Sequence, residues 1–230
     1  MRTAAILPVK RFARAKQRLG ASVADSLRLQ LAAAMVADVL LALSQTASIE
    51  RTIVVTREQS VAVSAREQGA IVLDDVAESG QSAAAALGVQ RALAEGIERV
   101  LCVPGDCPTL DPAELRELLR EDAGAHRGPG VVIVPDRHGA GTNGLLLTPP
   151  DAIAPSFGPG SCERHRALAL AAGLACRVER VPSLLLDIDT GADLDALRSR
   201  LSGHGARATR TRAVLGQPER TNILSITTCA

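Results

Sequence analysis

The sequence contains neither tryptophan nor tyrosine, and only two of its 230 residues are phenylalanine. Proteins that bind single-stranded nucleic acid stack the bases on aromatic side chains, and this chain lacks the residues for such a platform. The formal net charge is +1, so no overall field attracts a polyanion or a membrane surface. The sequence therefore predicts neither nucleic acid nor a membrane as a partner. A bound base would be held by backbone groups and aliphatic side chains.

The chain also lacks the cysteine spacing of a disulfide framework or a zinc site. It has five cysteines, an odd number, and none of them form a C-x-x-C pair. This usage is typical of reduced thiols. No stretch approaches the ~18 apolar residues of a membrane span, and the opening MRTAAILPVKRFARAK lacks the pattern of a signal peptide. We therefore expect a cytoplasmic protein.

Short apolar segments alternate with longer helical ones along most of the chain. The helical segments include a long apolar stripe after SVAD, a capping-box pattern that begins at Ser22. This alternation predicts an α/β fold with a single domain, built on a mostly parallel sheet with helices on both faces. The predicted strands lie in AAILPV, RTIVVT (Ile53–Thr56), AIVLDD, RVLCV (Val100–Val103), GVVIVPD, CRVERV and SLLLDID, and the glycine-rich loop that begins GTNGLLLTPP leads into a further strand.

The predicted domain covers residues 1–202, and residues 203–230 differ from it. They lack a periodic pattern and carry four arginines against one glutamate. We expect a basic, flexible tail. The alternative is a basic arm that helps to attract phosphates.

Charged and small residues follow the predicted strands at the point where each strand ends. In open α/β sheets, ligands bind outside the carboxyl ends of the strands. Five cations follow the first strand, Asp106 follows the fourth, and the glycine-rich segments HGAGTNG and FGPGS offer backbone amides and hydroxyls. The combination favours a metal–nucleotide complex, although the basic loop could be merely solvated. Neither the G-x-x-x-x-G-K-[ST] nor the G-x-G-x-x-G motif occurs.

The segment LLLDIDT places two carboxylates at the end of an apolar run. Residues two apart on a strand share a face, so Asp187 and Asp189 are predicted to project side by side. Two such carboxylates repel each other unless a cation lies between them or they share a proton. Mg²⁺ binds one or two carboxylates together with substrate phosphates, and Asp106 could supply a third. The alternative is that Asp189 or Thr190 caps the next helix and Asp187 is merely exposed; with Asp106 present, we favour the metal.

Other polar residues have simpler interpretations. His138 and His165 are isolated in the sequence, and we predict both to be surface residues. Cys107 has no histidine partner, which argues against a thiol nucleophile. Ser161 could be an ordinary helix cap, and this role would not exclude phosphate binding.

Five segments together resemble a known family. They are ILPVKRFARAKQRLG, VPGDCPTLDPAEL, VPDRHGAGTNGLLL, FGPGSCERH and LLLDIDTGADLDAL. In this order they are similar to the guanylyltransferases of coenzyme F420 biosynthesis, a family that includes bacterial phosphoenolpyruvate and archaeal 2-phospho-L-lactate guanylyltransferases. The resemblance implies a nucleotidyltransferase fold of the glycosyltransferase-A-like kind. It also implies that the phosphate of a small acid attacks the α-phosphorus of GTP and that pyrophosphate leaves.

The resemblance also implies roles for individual residues. Lys16 and Asp106 would be catalytic, and Mg²⁺ would be bound by Asp106, Asp187 and Asp189. The acceptor acid would be held by Thr142, Gly158 and Ser161. The nucleotide-binding residues would be Pro8, Val9, Lys10, Lys16, Arg18, Gly80 and Ser82. Where relatives often have Gly-Leu-Asn, this chain has Gly80-Gln81-Ser82.

Three other classes of protein compete with this interpretation. A molybdopterin cytidylyl- or guanylyltransferase would carry an L-x-G-G first loop, and a methyltransferase or dehydrogenase would carry a glycine-rich fingerprint. A non-catalytic nucleotide-binding regulatory protein would need no carboxylate pair, and metal-dependent pyrophosphate release distinguishes it from an enzyme.

The substrates and partners follow from the same resemblance. We expect GTP, a small phosphorylated carboxylic acid and the downstream transferase of the F420 pathway as partners. Phosphoenolpyruvate, 2-phospho-L-lactate and 3-phosphoglycerate all remain candidate acceptors, and the arginine- and alanine-rich, bacterial-like composition favours the first. The oligomeric state is left open, a homodimer included.

Overall fold

A computed structural model describes residues 1–21, 23–125, 128–202 and 207–216. Its centre is a seven-stranded sheet in the order β3-β2-β1-β4-β6-β5-β7. All neighbouring strands are parallel except β6, which runs antiparallel to both β4 and β5. The strands are β1 (Thr3–Val9), β2 (Arg51–Thr56), β3 (Ile71–Leu73), β4 (Arg99–Cys102), β5 (Gly130–Pro135), β6 (Thr142–Thr148) and β7 (Ala175–Val178).

Helices cover both faces of this sheet, which confirms the predicted fold class. They are α1 (Asp25–Ser44), α2 (Gln59–Glu67), α3 (Gln81–Ala94), α4 (Pro112–Ala125), α5 (Ser161–Ala171), α6 (Gly191–Leu201) and α7 (Thr209–Leu215). Along β1, Ala5 and Leu7 face a core formed with α1, α2 and α4, whereas Ala4 and Ile6 face a second core formed with α3 and α5. The alternation follows from the two-residue period of a strand.

The first helix begins at Asp25, three residues after the predicted start at Ser22, which lies outside the described residues. Among the described residues, α1 is long and apolar enough to cross a membrane by length and composition. However, 61% of its apolar window is buried inside the protein. A buried core helix has this composition because apolar side chains surround it on several sides.

The predicted strand SLLLDID is wrong, because residues 183–189 are irregular. Two of their backbone groups form hydrogen bonds with Asn143 and Asp106 instead of with a neighbouring strand. Asn143 Nδ2 donates to the Leu184 carbonyl at 2.8 Å, and Ile188 N–H donates to the Asp106 carbonyl at 3.2 Å. Leu186 and Ile188 are buried in a third core with α1 and α6. The segment therefore crosses the edge of the sheet, fixed by its apolar side chains and by these hydrogen bonds.

The predicted flexible tail is wrong over residues 209–215, which form α7 and pack on α1. The carboxylate of Asp38, a buried residue in the middle of α1, accepts hydrogen bonds from two N–H groups at the start of α7. The Oδ1 atom accepts from Arg210 N at 3.1 Å, and the Oδ2 atom accepts from Thr211 N at 2.8 Å. A carboxylate at a helix N-terminus is also favoured by the helix dipole. Residues 203–206 and 217–230 of the predicted tail lie outside the described residues.

Replacing Asp38 by alanine is expected to lower the free energy of unfolding by about 2–3 kcal/mol, because two hydrogen bonds to a charged group are lost. Urea unfolding measures this change, and amide hydrogen exchange over residues 209–215 should accelerate. The matched control is Asp195→Ala, which removes an exposed aspartate paired with Arg198 at 3.2 Å and should change stability little. Unchanged stability and unchanged exchange in Asp38→Ala would mean that α7 docks without this carboxylate.

Candidate active site

A cavity of about 580 Å³ opens at the carboxyl ends of β1 and β4 and at the start of β6. Because β6 is antiparallel to its neighbours, its first residue, Thr142, reaches the same edge of the sheet as their last residues. Twelve of the thirteen predicted site residues line this cavity. They are Pro8, Val9, Lys10, Lys16, Arg18, Gly80, Asp106, Thr142, Gly158, Ser161, Asp187 and Asp189.

Lys16 lies at the base of this cavity, between two carboxylates. Its ammonium group forms an ion pair with Asp106 and donates to Asp189 Oδ1 at 2.8 Å. Lys16 has a left-handed φ of 57°, a conformation that non-glycine residues rarely adopt. Burial opposes the positive charge, but the carboxylates of Asp106 and Asp189 outweigh burial and raise the pKa of Lys16. The side chain is therefore a fixed cation at neutral pH.

Asp187 is near enough to Asp106 to feel its charge, and no cationic side chain among the described residues forms an ion pair with it. Its Oδ1 atom accepts a hydrogen bond from Asn143 Nδ2 at 3.0 Å. Burial, followed by the negative charge of Asp106, raises the pKa of Asp187. Asp106 Oδ1 is buried and has no hydrogen-bond partner among the described residues. Asp187 and the Oδ1 atom of Asp106 thus keep acceptor capacity that the described part of the chain does not use.

This donor set fits a hard divalent cation. No group of three or more His, Cys, Asp or Glu side chains in the described residues is arranged to hold a metal ion. At this site, Lys16 contacts both Asp106 and Asp189. Mg²⁺ needs only one or two carboxylates when substrate phosphates complete its coordination, and Asp106 and Asp187 offer two. The predicted three-aspartate metal site stays a prediction, with Asp189 engaged by Lys16.

The basic loop lies along one wall of the cavity, where Lys10, Arg14 and Arg18 are exposed. Two short 3-10 helices, Phe12–Arg14 and Gln17–Ala21, form the loop. Arg28, a buried residue of α1, donates to the carbonyls of Phe12 at 3.1 Å and Ala15 at 2.6 Å. Its guanidinium therefore holds the loop backbone in place, a role that sequence reasoning missed because Arg28 interrupts an apolar stripe without any motif around it.

The opposite wall is the glycine-rich turn before α5. The turn requires glycine at two positions, since Gly158 has a φ of 109° and Gly160 a φ of 71°. Gly160 is the N-cap of α5, so Ser161 is the first helical residue. The Ser161 hydroxyl is buried and has no hydrogen-bond partner among the described residues. Backbone amides and this hydroxyl at a helix N-terminus suit a phosphate or carboxylate group.

Two residues behind this wall have positions that differ from those predicted from the sequence. Ser82 does not line the cavity; its hydroxyl accepts from Phe157 N at 2.8 Å and ties α3 to the turn. His165, predicted as a surface residue, is fully buried behind Thr142, and that prediction is wrong. Its burial follows the four-residue spacing of Ser161, His165 and Ala169, which are all buried in α5, and this spacing was the signal available in the sequence.

The buried histidine makes stability depend on pH. Burial, with the nearby charge of Arg164, lowers the pKa of His165 to about 4. Below its ordinary pKa of about 6.5 the unfolded chain binds a proton that the folded protein does not bind. Between about pH 7.5 and about pH 5, His165 is therefore expected to lower the free energy of unfolding by about 2 kcal/mol. Urea unfolding at both pH values should show a smaller loss in His165→Gln, whereas the exposed His138→Gln should behave as the wild type. An equal loss in all three proteins would contradict this assignment.

The fold is that of nucleotidyltransferases. A nucleotide-diphospho-sugar transferase structure from Desulfovibrio desulfuricans superposes with a TM-score of 0.72 and 17% identity, covering 94% of each chain. A nucleotidyl transferase from Methanothermobacter thermautotrophicus superposes with a TM-score of 0.60 and 20% identity, covering 87% of this chain and 98% of the other. At these identities the likeness concerns the fold alone.

The chain belongs to the CofC-like guanylyl transferase family, whose model matches residues 3–220. It is 51% identical to the phosphoenolpyruvate guanylyltransferase of Conexibacter woesei, covering 96% of this chain and 99% of that protein. It is 38% identical to the phosphoenolpyruvate guanylyltransferase of Sphaerobacter thermophilus, covering 89% of this chain and 94% of that protein. The match to residue 220 includes α7, so the family extends beyond the predicted boundary at residue 202.

Proposed function

We propose that this protein transfers GMP from GTP to the phosphate of phosphoenolpyruvate, releasing pyrophosphate. The observation that carries the proposal is a single cavity that combines aspartate side chains with two chemically different anion-binding walls. Lys10, Arg14 and Arg18 form the cationic wall, and the α5 N-terminus forms the other. The names of the relatives at 51% and 38% identity support phosphoenolpyruvate as the acceptor.

The proposed reaction needs charge neutralisation more than proton transfer. A phosphate oxygen of the acceptor forms a bond to the α-phosphorus of GTP. The bond from that phosphorus to the oxygen bridging the β-phosphate breaks, and pyrophosphate takes the electron pair. Because a phosphate monoester is already anionic, no general base has to remove a proton. The barrier comes from repulsion between two anions and from charge on the leaving group, which cationic side chains reduce.

The two walls of the cavity suit different substrates. The exposed cations of the basic loop suit the triphosphate and the leaving pyrophosphate. The amides at the start of α5, with the hydroxyls of Thr142 and Ser161, suit the smaller anionic acceptor. Lys16 lines the same cavity, and its ammonium group is held in place by Asp106 and Asp189. It can therefore bind an oxygen of the α-phosphate or of the acceptor where the two anions must approach.

The proposal includes Mg²⁺, held by Asp106 and Asp187, with Asp189 as a further candidate. The ion would neutralise phosphate charge and orient the phosphate oxygens. The partnerless Oδ1 atom of Asp106 among the described residues and the raised pKa of Asp187 support a cation at this position. With phosphoenolpyruvate the product would be enolpyruvoyl-diphospho-guanosine, used by a downstream transferase of coenzyme F420 biosynthesis in the cytoplasm.

Pyrophosphate release with GTP and Mg²⁺ tests the proposal. Phosphoenolpyruvate, 2-phospho-L-lactate and 3-phosphoglycerate are offered in turn, with the downstream transferase and its deazaflavin substrate present to consume a labile product. We expect release with phosphoenolpyruvate and much less with ATP or CTP in place of GTP. Release only with 2-phospho-L-lactate or 3-phosphoglycerate would keep the reaction and change the acceptor. A protein that binds GTP but releases no pyrophosphate with any of the three acids would overturn the proposal.

A further inference from the structure

The buried side chain of His165 connects three parts of the acceptor wall. Its Nδ1 atom lies 3.1 Å from the Thr142 hydroxyl at the start of β6. Its Nε2 atom accepts a hydrogen bond from the Ser156 backbone N–H at 2.9 Å. Its ring meets the Phe157 ring edge-on, with centroids 5.3 Å apart. The imidazole is completely shielded from solvent, so it contacts the cavity only through these neighbours.

These contacts determine which ring nitrogen carries the proton. A backbone N–H can only donate, so Nε2 must be the unprotonated nitrogen that accepts from Ser156. The neutral imidazole then has its proton on Nδ1. That N–H points at Thr142 Oγ1 and donates to it.

The tautomer in turn sets the direction of the Thr142 hydroxyl. A hydroxyl has one proton to donate, and its oxygen already accepts from His165. No second partner of this hydroxyl occurs in the part of the chain that the structure describes, and Thr142 lines the cavity. Its proton is therefore free for a ligand. In the opposite tautomer the hydroxyl would donate to His165 and present a lone pair to an incoming anion, which would repel it.

We propose that His165 is a positioning residue that holds the Thr142 hydroxyl as a donor toward an anionic oxygen of the acceptor acid. The inference rests on the proposed function for the identity of the acceptor, but the direction of the hydrogen bond does not depend on it. Hydrogen bonds to charged groups are stronger than neutral ones, so this orientation favours a carboxylate or phosphate oxygen at Thr142. His165 acts through Thr142 and does not touch the substrate.

The ¹⁵N chemical shifts of the histidine rings test the tautomer in the wild-type protein without any substrate. We expect His165 to show a protonated Nδ1 and an unprotonated Nε2 at neutral pH, with the signal assigned by its loss in His165→Gln. A protonated Nε2 with a bare Nδ1 would overturn the proposal. Because no turnover is needed, this result stands even if the protein is inactive with phosphoenolpyruvate, which would count against the proposed function alone.

Two substitutions of His165 distinguish orientation of the Thr142 hydroxyl from stabilisation of the turn that contains Ser156. In His165→Asn the amide nitrogen can take the place of Nδ1 and donate to Thr142. In His165→Gln the amide oxygen can take the place of Nε2 and accept from Ser156, while the donor to Thr142 is lost. We expect kcat/KM for phosphoenolpyruvate to fall at least about tenfold in His165→Gln and much less in His165→Asn. The KM for GTP should stay unchanged in both. The reverse order of the two variants would indicate that His165 only supports the turn.

A double-mutant cycle with Thr142→Val completes the test. If His165 acts through this hydroxyl, His165→Gln should cause no further loss of kcat/KM for phosphoenolpyruvate once the hydroxyl is gone. Thr142→Ser, which retains a hydroxyl, should recover most of the activity. Independent, multiplicative losses from the two substitutions would overturn the proposal. Should His165→Gln fail to fold, the ¹⁵N shifts of the wild type, assigned from Thr142→Ser and His138→Gln spectra, still decide it.

Discussion

Replacement of Asp187 by alanine is expected to lower kcat for GMP transfer by at least about 100-fold while the protein stays folded. Asp187 contributes a carboxylate to the cavity in which the two anionic substrates are proposed to react. With Asp106 it forms the pair of acidic side chains proposed to bind Mg²⁺. Neither neighbouring group can replace it, because Asp189 is paired with Lys16 and Asn143 is neutral.

Stability should respond differently from activity at this position. Burial and the charge of Asp106 raise the pKa of Asp187, which means that its ionised form is unfavourable in the folded protein. Asp187→Asn removes the charge and retains an oxygen that can accept from Asn143. We therefore expect Asp187→Asn to be as inactive as the alanine variant and at least as stable as the wild type in urea unfolding.

The measurement is steady-state pyrophosphate release with saturating GTP and phosphoenolpyruvate, together with a titration of Mn²⁺ binding by electron paramagnetic resonance. The control is Asp151→Ala, which removes an exposed aspartate outside the cavity. A folded Asp187→Ala protein with normal turnover would remove Asp187 from the metal site.

Replacement of Lys16 by methionine is expected to lower kcat/KM for both substrates by at least about 100-fold and also to destabilise the protein. The catalytic loss follows from the missing cation between the two anions. The destabilisation follows because Asp106 and Asp189 lose their shared partner, and breaking a partly buried ion pair leaves uncompensated charge. Lys16→Met therefore differs from Asp187→Asn, where the removed charge is itself unfavourable.

The two effects of Lys16→Met are separated by combining it with Asp106→Asn. Removing the negative charge left behind should restore part of the stability measured by urea unfolding, because no partly buried carboxylate then remains without its cation. It should not restore activity. The matched control is Arg18→Met, which removes an exposed cation of the same cavity and should mainly raise the KM for GTP. Equal stability of Lys16→Met and wild type would show that the ion pairs contribute little to folding.

Local patterns in the sequence predicted most of the sheet and its helices. The predicted strands AAILPV, RTIVVT and GVVIVPD depend only on short apolar runs, and they agree with β1, β2 and β5. The carboxyl-end rule for open sheets then located the cavity, because it requires only the order of the strands and the residues that follow them. This rule places Asp106 at that edge without any knowledge of packing.

The C-terminal elements show where local patterns stop being sufficient. The run SLLLDID has the composition of a buried strand, yet its backbone joins no ladder in the described structure, and side chains such as Asn143 satisfy it instead. Residues 209–215 have no periodic pattern, and they form α7 because Asp38 caps them and α1 covers them. Both outcomes depend on partners far away in the chain.

The sequence by itself therefore determined the class of fold and the edge of the sheet where polar residues gather, because both follow from short-range periodicity and strand ends. Only the tertiary structure decided which of those groups touch. Lys16 meets Asp106 and Asp189 across 90 and 173 positions of the chain, and His165 is buried against Thr142 across 23. Contacts of this kind depend on how helices and loops pack over the sheet, and no pattern of adjacent residues records them.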